Sequence, residues 1–211
     1  LVELHGQARA YPLQLLIYHE IVTDQIDDTP FSVTFCPVCN SSVVFDRRLQ
    51  DRVLDFGTTG LLRKSDMVMY DRQTESWWQQ IIGRGIVGEL AGATLAQIPS
   101  RIISFADFAA AFPKGRVVNR DTGHIRPYGN NPYRGYDDIN QSPFLFQGTP
   151  DPRLPPMERV MHIEIADQAR LYPFSRLATQ GVVNDVIADQ AVVLFSRQGL
   201  LSVLDRGDIT D

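Results

Sequence analysis

"VELHGQARAYPLQLLIYHEIVTDQIDD", Val2 to Asp28, and "IEIADQARLYPFSRLATQGVVNDVIAD", Ile163 to Asp189, align without a gap. They share Gln-Ala-Arg-x-Tyr-Pro and, further on, Val, Asp, Ile and Asp. A match of that density in one ungapped window points to an internal duplication. Each copy reads as a short alternating strand (Val2 and Leu4; Ile163 and Ile165) and then a helix with proline in its first turn, where a missing N–H costs nothing. Leu13, Leu16, Ile17 and Glu20 follow helical spacing in the first copy. A second strand comes next, "FSVTF" from Phe31 in one copy and "AVVLF" from Ala191 in the other.

After the first copy the pattern turns to β. "SSVVFD", "RVLDF", "MVMYDR" and "SWWQQI" are short β-prone runs parted by polar turns, which reads as a meander. A helix follows at "SFADFAAAF", capped by Ser104 and ended before Pro113. "GRVVN" reads as a strand, and from Asp121 to about Pro156 the chain is rich in Pro, Gly, Asn, Tyr and Arg. A segment of that length suits either a covering loop over a site or a connection between repeats. "SVLDR" at Ser202 to Arg206 echoes "SVVFDR" at Ser42 to Arg47 with one residue missing, and nothing answers "MVMYDRQTESWWQQ" in the second half. The expected organisation is therefore a first repeat with meander and covering loop over 1–156, and the start of a truncated second repeat over 157–211. The fold class is α+β, dominated by β, with duplicated strand–helix–strand units.

The chain has 211 residues, enough for one sizeable core or for one domain and part of another. Its 44% hydrophobic and 21% charged content is that of a globular protein. A net charge of −5, with no cluster of Lys and Arg, argues against a nucleic-acid partner. Apolar runs such as "LQLLIY" are too short to span a bilayer. The quoted chain carries no signal peptide and opens on Leu1 with no initiator Met, so an upstream portion is expected.

The only two cysteines stand in "FCPVCN", at the tip of a hairpin between "FSVTF" and "SSVVF". A redox Cys-x-x-Cys needs a helix starting near its second cysteine, to stabilise the thiolate. "NSSVVFDRR" alternates instead, which speaks against a thioredoxin-like role. Two thiolates at a tight turn between strands resemble half of a zinc ribbon, but further ligands must come from elsewhere. A disulfide, or two packed thiols without chemistry, is the bland alternative. The duplication helps to choose. Arg9 with Arg170 and Tyr11 with Tyr172 recur in both copies and serve the fold. Cys36 falls opposite Arg197, and His19 and Glu20 opposite Gln180 and Gly181, so His19 and the two cysteines are additions to a repeated scaffold. A histidine at a helix C-terminus commonly complements the dipole. Here the next strand leads to the cysteines, which makes His19 a candidate third ligand. His5, His124 and His162 are read as structural or exposed.

"GRGIVG", Gly83 to Gly88, fits G-x-G-x-x-G but lacks the following long helix, so its glycines are read as turns and close approaches and no nucleotide is expected. In "SDMVMYDRQTESWW", Met67 and Met69 share a strand face; two thioethers opposite a dithiol would suit Cu(I), whereas two core methionines would merely fill gaps. Asp71 to Thr74 reads as a turn with an Asp71–Arg72 ion pair. Asp66 is a candidate acid or base.

"ARAYPLQLLIYHEIV", "VTFCPVCNSSVVFDRR", "FGTTGLLRKSDMVMYDRQTESWWQQ", "GELAG" and "RDTG…NPYRGY" together resemble the family filed as domain of unknown function 3179. The resemblance covers nearly the whole chain. It implies no established activity, but a setting outside the cytoplasm, periplasmic or lipoprotein-anchored, and a second half that continues further than this one. The expected site gathers Cys36, Cys39 and Asp66 as catalytic groups, with Cys36, Cys39 and His19 holding a transition metal, Zn or Cu. Trp77 lies on its wall, and Arg126 and Arg134 in the Tyr128–Tyr136 cover hold an anionic group, since guanidinium suits carboxylate or phosphate. That describes a metal-dependent or thiol-based enzyme. The competing expectation is a non-catalytic binding module in which Cys36 and Cys39 form a disulfide.

Overall fold

The structure is a computed structural model that describes residues 1–201, 204 and 208–210. Its contacts divide the chain into two units, Leu1–Tyr133 with Pro143–Gln147, and Arg134–Ser142 with Gly148–Asp211. Strands dominate both, with three short helices among the described residues.

In the first unit, β1 (Val2–Leu4) and β2 (Gln7–Ala10) form a hairpin, and α1 (Leu13–His19) follows Pro12. The duplicated Gln-Ala-Arg run is thus a strand, where the sequence pattern led from the first strand directly into the helix. The turn at His5 and Gly6, both at positive φ, folds the chain back within two residues. β3 (Ile21–Ile26), β4 (Thr29–Cys36) and β5 (Ser41–Asp46) make an antiparallel sheet with β4 in the middle. Every residue of β4 after Thr29 is buried, because both of its faces are covered. One face carries Phe31, Val33 and Phe35, with Tyr11 edge-on to Phe31. The other carries Ser32, Thr34 and Cys36, and Gln80 reaches Thr34 on that side.

The small ribbon β6 (Arg48–Leu49) and β7 (Arg52–Val53) leads into the meander β8 (Phe56–Arg63), β9 (Asp66–Asp71), β10 (Trp77–Gln79) and β11 (Arg84–Val87), antiparallel throughout. Trp78 is fully buried, edge-on to Phe56, and its indole N–H donates to Asp71 at 2.9 Å. Asp71 also accepts from the Thr74 amide at 2.6 Å and from the Thr74 hydroxyl, which ties the turn back onto the strand. The expected Asp71–Arg72 ion pair does not form. Successive strand residues face opposite ways, so Asp71 points inward while Arg72 pairs outside with Asp55 at 3.4 Å. In "GRGIVG", a Cβ at Gly85 would lie 2.1 Å from the Leu90 carbonyl oxygen, so only glycine allows that approach.

α2 (Phe105–Ala111) starts at Ser104, whose hydroxyl accepts from the Asp107 amide as a cap should. β12 (Arg116–Val117) then adds in parallel to β2. No helix or strand is assigned from residue 118 to residue 159.

In the second unit, β13 (Val160–Ile165) pairs with β14 (Gln168–Pro173), α3 is Phe174–Gln180, and β15 (Val182–Ile187) pairs with β16 (Gln190–Phe195). β17 (Gln198–Leu201) pairs with β18 (Asp208–Thr210). The echo of "SVVFDR" at 202–206 lies, Leu204 apart, outside the described residues. Each unit ties its hairpin to the strand after the helix by the same groups. In the first, Asp24 accepts from Tyr11 at 2.6 Å and pairs with Arg9. In the second, Asp185 accepts from Tyr172 at 2.8 Å and pairs with Arg170 at 3.5 Å. No described helix is long and apolar enough to cross a membrane.

Candidate metal centre

Cys36 ends β4 and Ser41 opens β5 directly opposite it, so Pro37 to Asn40 form the hairpin tip. Asn40 takes φ 46°, a left-handed conformation that asparagine tolerates. The tip folds Cys39 back beside Cys36, and neither sulfur is in a disulfide. The third member comes from the meander. Asp66, at the start of β9, is buried, and Cys36, Cys39 and Asp66 place their ligand atoms within 4.8 Å of one another. It is the one such group of three among the described residues.

The contacts around it fix its electrostatics. Cys39 Sγ lies 3.2 Å from Asp66 Oδ1 and 3.0 Å from Ser41 Oγ, and Asp66 Oδ2 accepts the Ile81 amide at 3.0 Å. The hydrogen bond with Cys36, then burial, then the negative charge of Cys36 and Asp66, push the Cys39 thiol up. Burial pushes the Asp66 carboxyl up as well, against the hydrogen bonds from Ile81 and Cys39. Burial and mutual repulsion therefore disfavour ionising Cys39 and Asp66 together without a cation.

Donors of a tetrahedral zinc site stand about 3.5–3.8 Å apart, given Zn–S near 2.3 Å and Zn–O near 2.0 Å. Cys39 Sγ and Asp66 Oδ1 stand 3.2 Å apart, and all three ligand atoms lie within 4.8 Å of one another. Behind it, Ser41 Oγ donates to Gln80 Oε1 at 3.1 Å, Gln80 Nε2 donates to Thr34 Oγ1 at 2.8 Å, and Thr34 Oγ1 donates to the Val43 carbonyl at 2.7 Å.

The other expected site residues are placed as follows. His19 is not in the group. Its Nε2 lies 2.5 Å from the Tyr128 hydroxyl, which in turn is 2.6 Å from Thr122 Oγ1, and its ring packs 5.7 Å from that of His124. Burial, His124 and Arg126 hold its pKa below the usual value. Tyr18 donates to the carbonyls of Pro127 and Asn130, so residues 127–130, where the expected Tyr128–Tyr136 cover begins, are clamped onto the end of α1. Arg126 is exposed and bonded to the Ile125 carbonyl; Arg134 belongs to the second unit. Trp77 is the outward-facing neighbour of Trp78, opposite Tyr70 in the ladder. Met67 and Met69 are both buried in the meander, Met69 laddered against Trp78.

Next to Asp66, the Ser65 hydroxyl donates to the Phe144 carbonyl at 2.8 Å, so the Pro143–Gln147 segment reaches the rim of the centre. Sequence reasoning overlooked Ser41, Gln80 and Thr34. The signal was the pair of glutamines after two tryptophans; both are buried, Gln80 just past the end of β10.

No curated protein and no solved structure is significantly similar to the chain. The model of the family described as protein of unknown function (DUF3179) matches residues 1–211, and the chain belongs to that family.

Proposed function

We propose that the chain is a metal-dependent enzyme whose centre is Cys36, Cys39 and Asp66, with zinc as the ion. The observation that carries this is the convergence of two sulfurs and one carboxylate within 4.8 Å, drawn from a hairpin tip and a separate strand. Three protein ligands leave the fourth position of a tetrahedral zinc open for water or substrate, as in catalytic rather than structural sites. The carboxylate favours zinc over Cu(I), which prefers an all-sulfur set. A thiol-based mechanism is less well supported. A nucleophilic cysteine needs exposure and a lowered pKa, whereas Cys36 is fully buried and the Cys39 thiol is pushed up.

The test is metal analysis with free-thiol titration on the same reduced sample. The expected result is one zinc per chain, competed by a chromophoric chelator. Cys36→Ser, Cys39→Ser and Asp66→Asn should each weaken zinc by more than the roughly 10–100-fold lost when only an outer partner is removed. Urea midpoints of the metal-free variants should stay near the parent's. A chain that takes up no zinc, and whose cysteines oxidise to a disulfide without loss of fold, would be the binding module instead.

We also infer that the two β-β-α-β-β segments are copies of one ancestral unit. Supporting this are the ungapped match and the recurrence of the Arg, Tyr and Asp contacts at Asp24 and Asp185. On that reading, the two cysteines were added to the first copy, since Arg197 and Leu200 stand at the corresponding positions of the second.

A further inference from the structure

We infer that Gln80 is a positioning residue that reverses its hydrogen bonds when a metal ion enters, turning Ser41 from an acceptor of the Cys39 thiol into a donor to the Cys39 sulfur. This rests on the metal-centre reading above.

The direction of the chain behind Cys39 follows from its far end. The Val43 carbonyl can only accept, so the Thr34 hydroxyl, 2.7 Å away, gives its proton there. Thr34 Oγ1 can then only accept from Gln80, so the atom of Gln80 that faces it at 2.8 Å must be the amide nitrogen. The opposite atom, Oε1, therefore faces Ser41, and Ser41 gives its proton to it at 3.1 Å. Toward Cys39 Sγ, 3.0 Å away, Ser41 has only lone pairs left. Every donor in the relay points away from the sulfur. That arrangement suits a thiol, whose S–H can donate to Ser41 or to Asp66 Oδ1 at 3.2 Å.

It does not suit a metal-bound thiolate, which has no proton and accepts hydrogen bonds. When an ion binds, the Cys39 proton leaves to the buffer, and Ser41 and Cys39 are left with lone pairs facing each other. Rotating the Gln80 amide by half a turn resolves the conflict at the sulfur, in exchange for the long contact of Gln80 Nε2 with the Ser41 carbonyl at 3.5 Å and the Thr34 hydrogen bond to the Val43 carbonyl. Its nitrogen then donates to Ser41 Oγ, its oxygen accepts from Thr34, and the Ser41 hydroxyl is free to donate to sulfur. Only hydroxyl and amide rotations are needed, and the backbone keeps its register. Gln80 and Thr34 are fully buried, so no solvent competes for either end of the relay. The Gln80 backbone is itself pinned to the Met67 carbonyl at 3.0 Å, beside Asp66.

The test uses zinc alone, on the reduced full chain. Two-dimensional NMR of the Gln80 side-chain amide, assigned by its loss in Gln80→Met, should show both amide protons shifting as zinc is added. Ser41→Ala should weaken zinc about 10–100-fold, as removal of an outer donor does, and Ser41→Thr should restore the affinity. If Ser41 stays an acceptor, Ser41→Ala instead leaves zinc as tight or makes it tighter. That sign, or a Gln80 amide unmoved in a zinc-loaded parent chain, would overturn the inference while leaving the centre intact. A parent chain that binds no zinc overturns both. The amide measurement is made on the parent, so it decides the matter even if Ser41→Ala does not fold.

Discussion

Glu20 holds a backbone conformation that its own side chain opposes. It caps α1 with φ 61° and ψ −37°, its N–H on the Leu16 carbonyl and its carbonyl on the Phe35 amide, both at 2.7 Å. The corresponding residue after α3 is Gly181, at φ 71° and ψ −47°, bonded the same way to Leu177 and Ser196. A residue with a Cβ in this region costs about 1–3 kcal/mol. Gly at the same place gives back about 0.5–1 kcal/mol through the greater freedom of its unfolded chain. Glu20→Gly should therefore stabilise the first unit by about 0.5–2 kcal/mol, which raises the midpoint by about 2–4 °C per kcal/mol. Burial raises the Glu20 pKa above 4.5, so the folded state resists its ionisation. The parent keeps its full stability below that value and loses some as pH rises through the folded pKa. The advantage of Glu20→Gly should accordingly be larger at pH 7 than at pH 4. Urea unfolding followed by tryptophan fluorescence reads this directly, because Trp77 and Trp78 both belong to the first unit. Gly181→Ala, followed by circular dichroism, should destabilise. A Glu20→Gly chain that is no more stable than the parent at either pH would refute the strain.

Asp71→Ala should cost roughly 2–4 kcal/mol in urea unfolding, since it leaves the Trp78 indole N–H and the Thr74 amide without an acceptor inside the meander. Tyr11→Phe removes a hydrogen bond to the Asp24 carboxylate and should cost about 1.5–3 kcal/mol; Tyr172→Phe, in a more open setting, should cost less by the same assay. His19 has a lowered pKa, so its contribution to stability is present above pH 6.5 and is lost as pH falls through the folded value. His19→Gln should flatten the loss of urea midpoint between pH 6.5 and 5, and parallel pH profiles for the two proteins would contradict that.

Much of the architecture could be read from alternation and capping. The hairpin around Cys36 and Cys39, the meander, and the Ser104 cap all stand where local pattern places them. β2 went unread because the expected strand stopped at Leu4; pairing with β1 and β12 is what makes Gln7–Ala10 a strand. His19 was assigned to the cysteines by proximity along the chain, but Tyr128, 109 residues on, claims its ring. Gln80 meets Thr34 across 46 residues, a contact that no local periodicity reports. Asp66 was visible only as an acid in a polar aromatic run. Its partnership with Cys39 depends on how the meander lies against β4, and packing decides that.

The parallel pairing of β2 with β12 also bears on the order in which the chain can fold. Arg9 meets Arg116 in that ladder, and Val2 and Phe45 bridge to Ser100 and Gln97. During synthesis at about 5–20 residues per second, the first hairpin waits roughly 5–20 s before its third strand exists. Until then β2 has an open edge, the kind of surface on which nascent chains pair with one another. Closing a loop of that span is slow compared with forming the β3–β4–β5 hairpins beside it. The local sheet that carries the cysteines is thus set to form early, and the N-terminal sheet to join last.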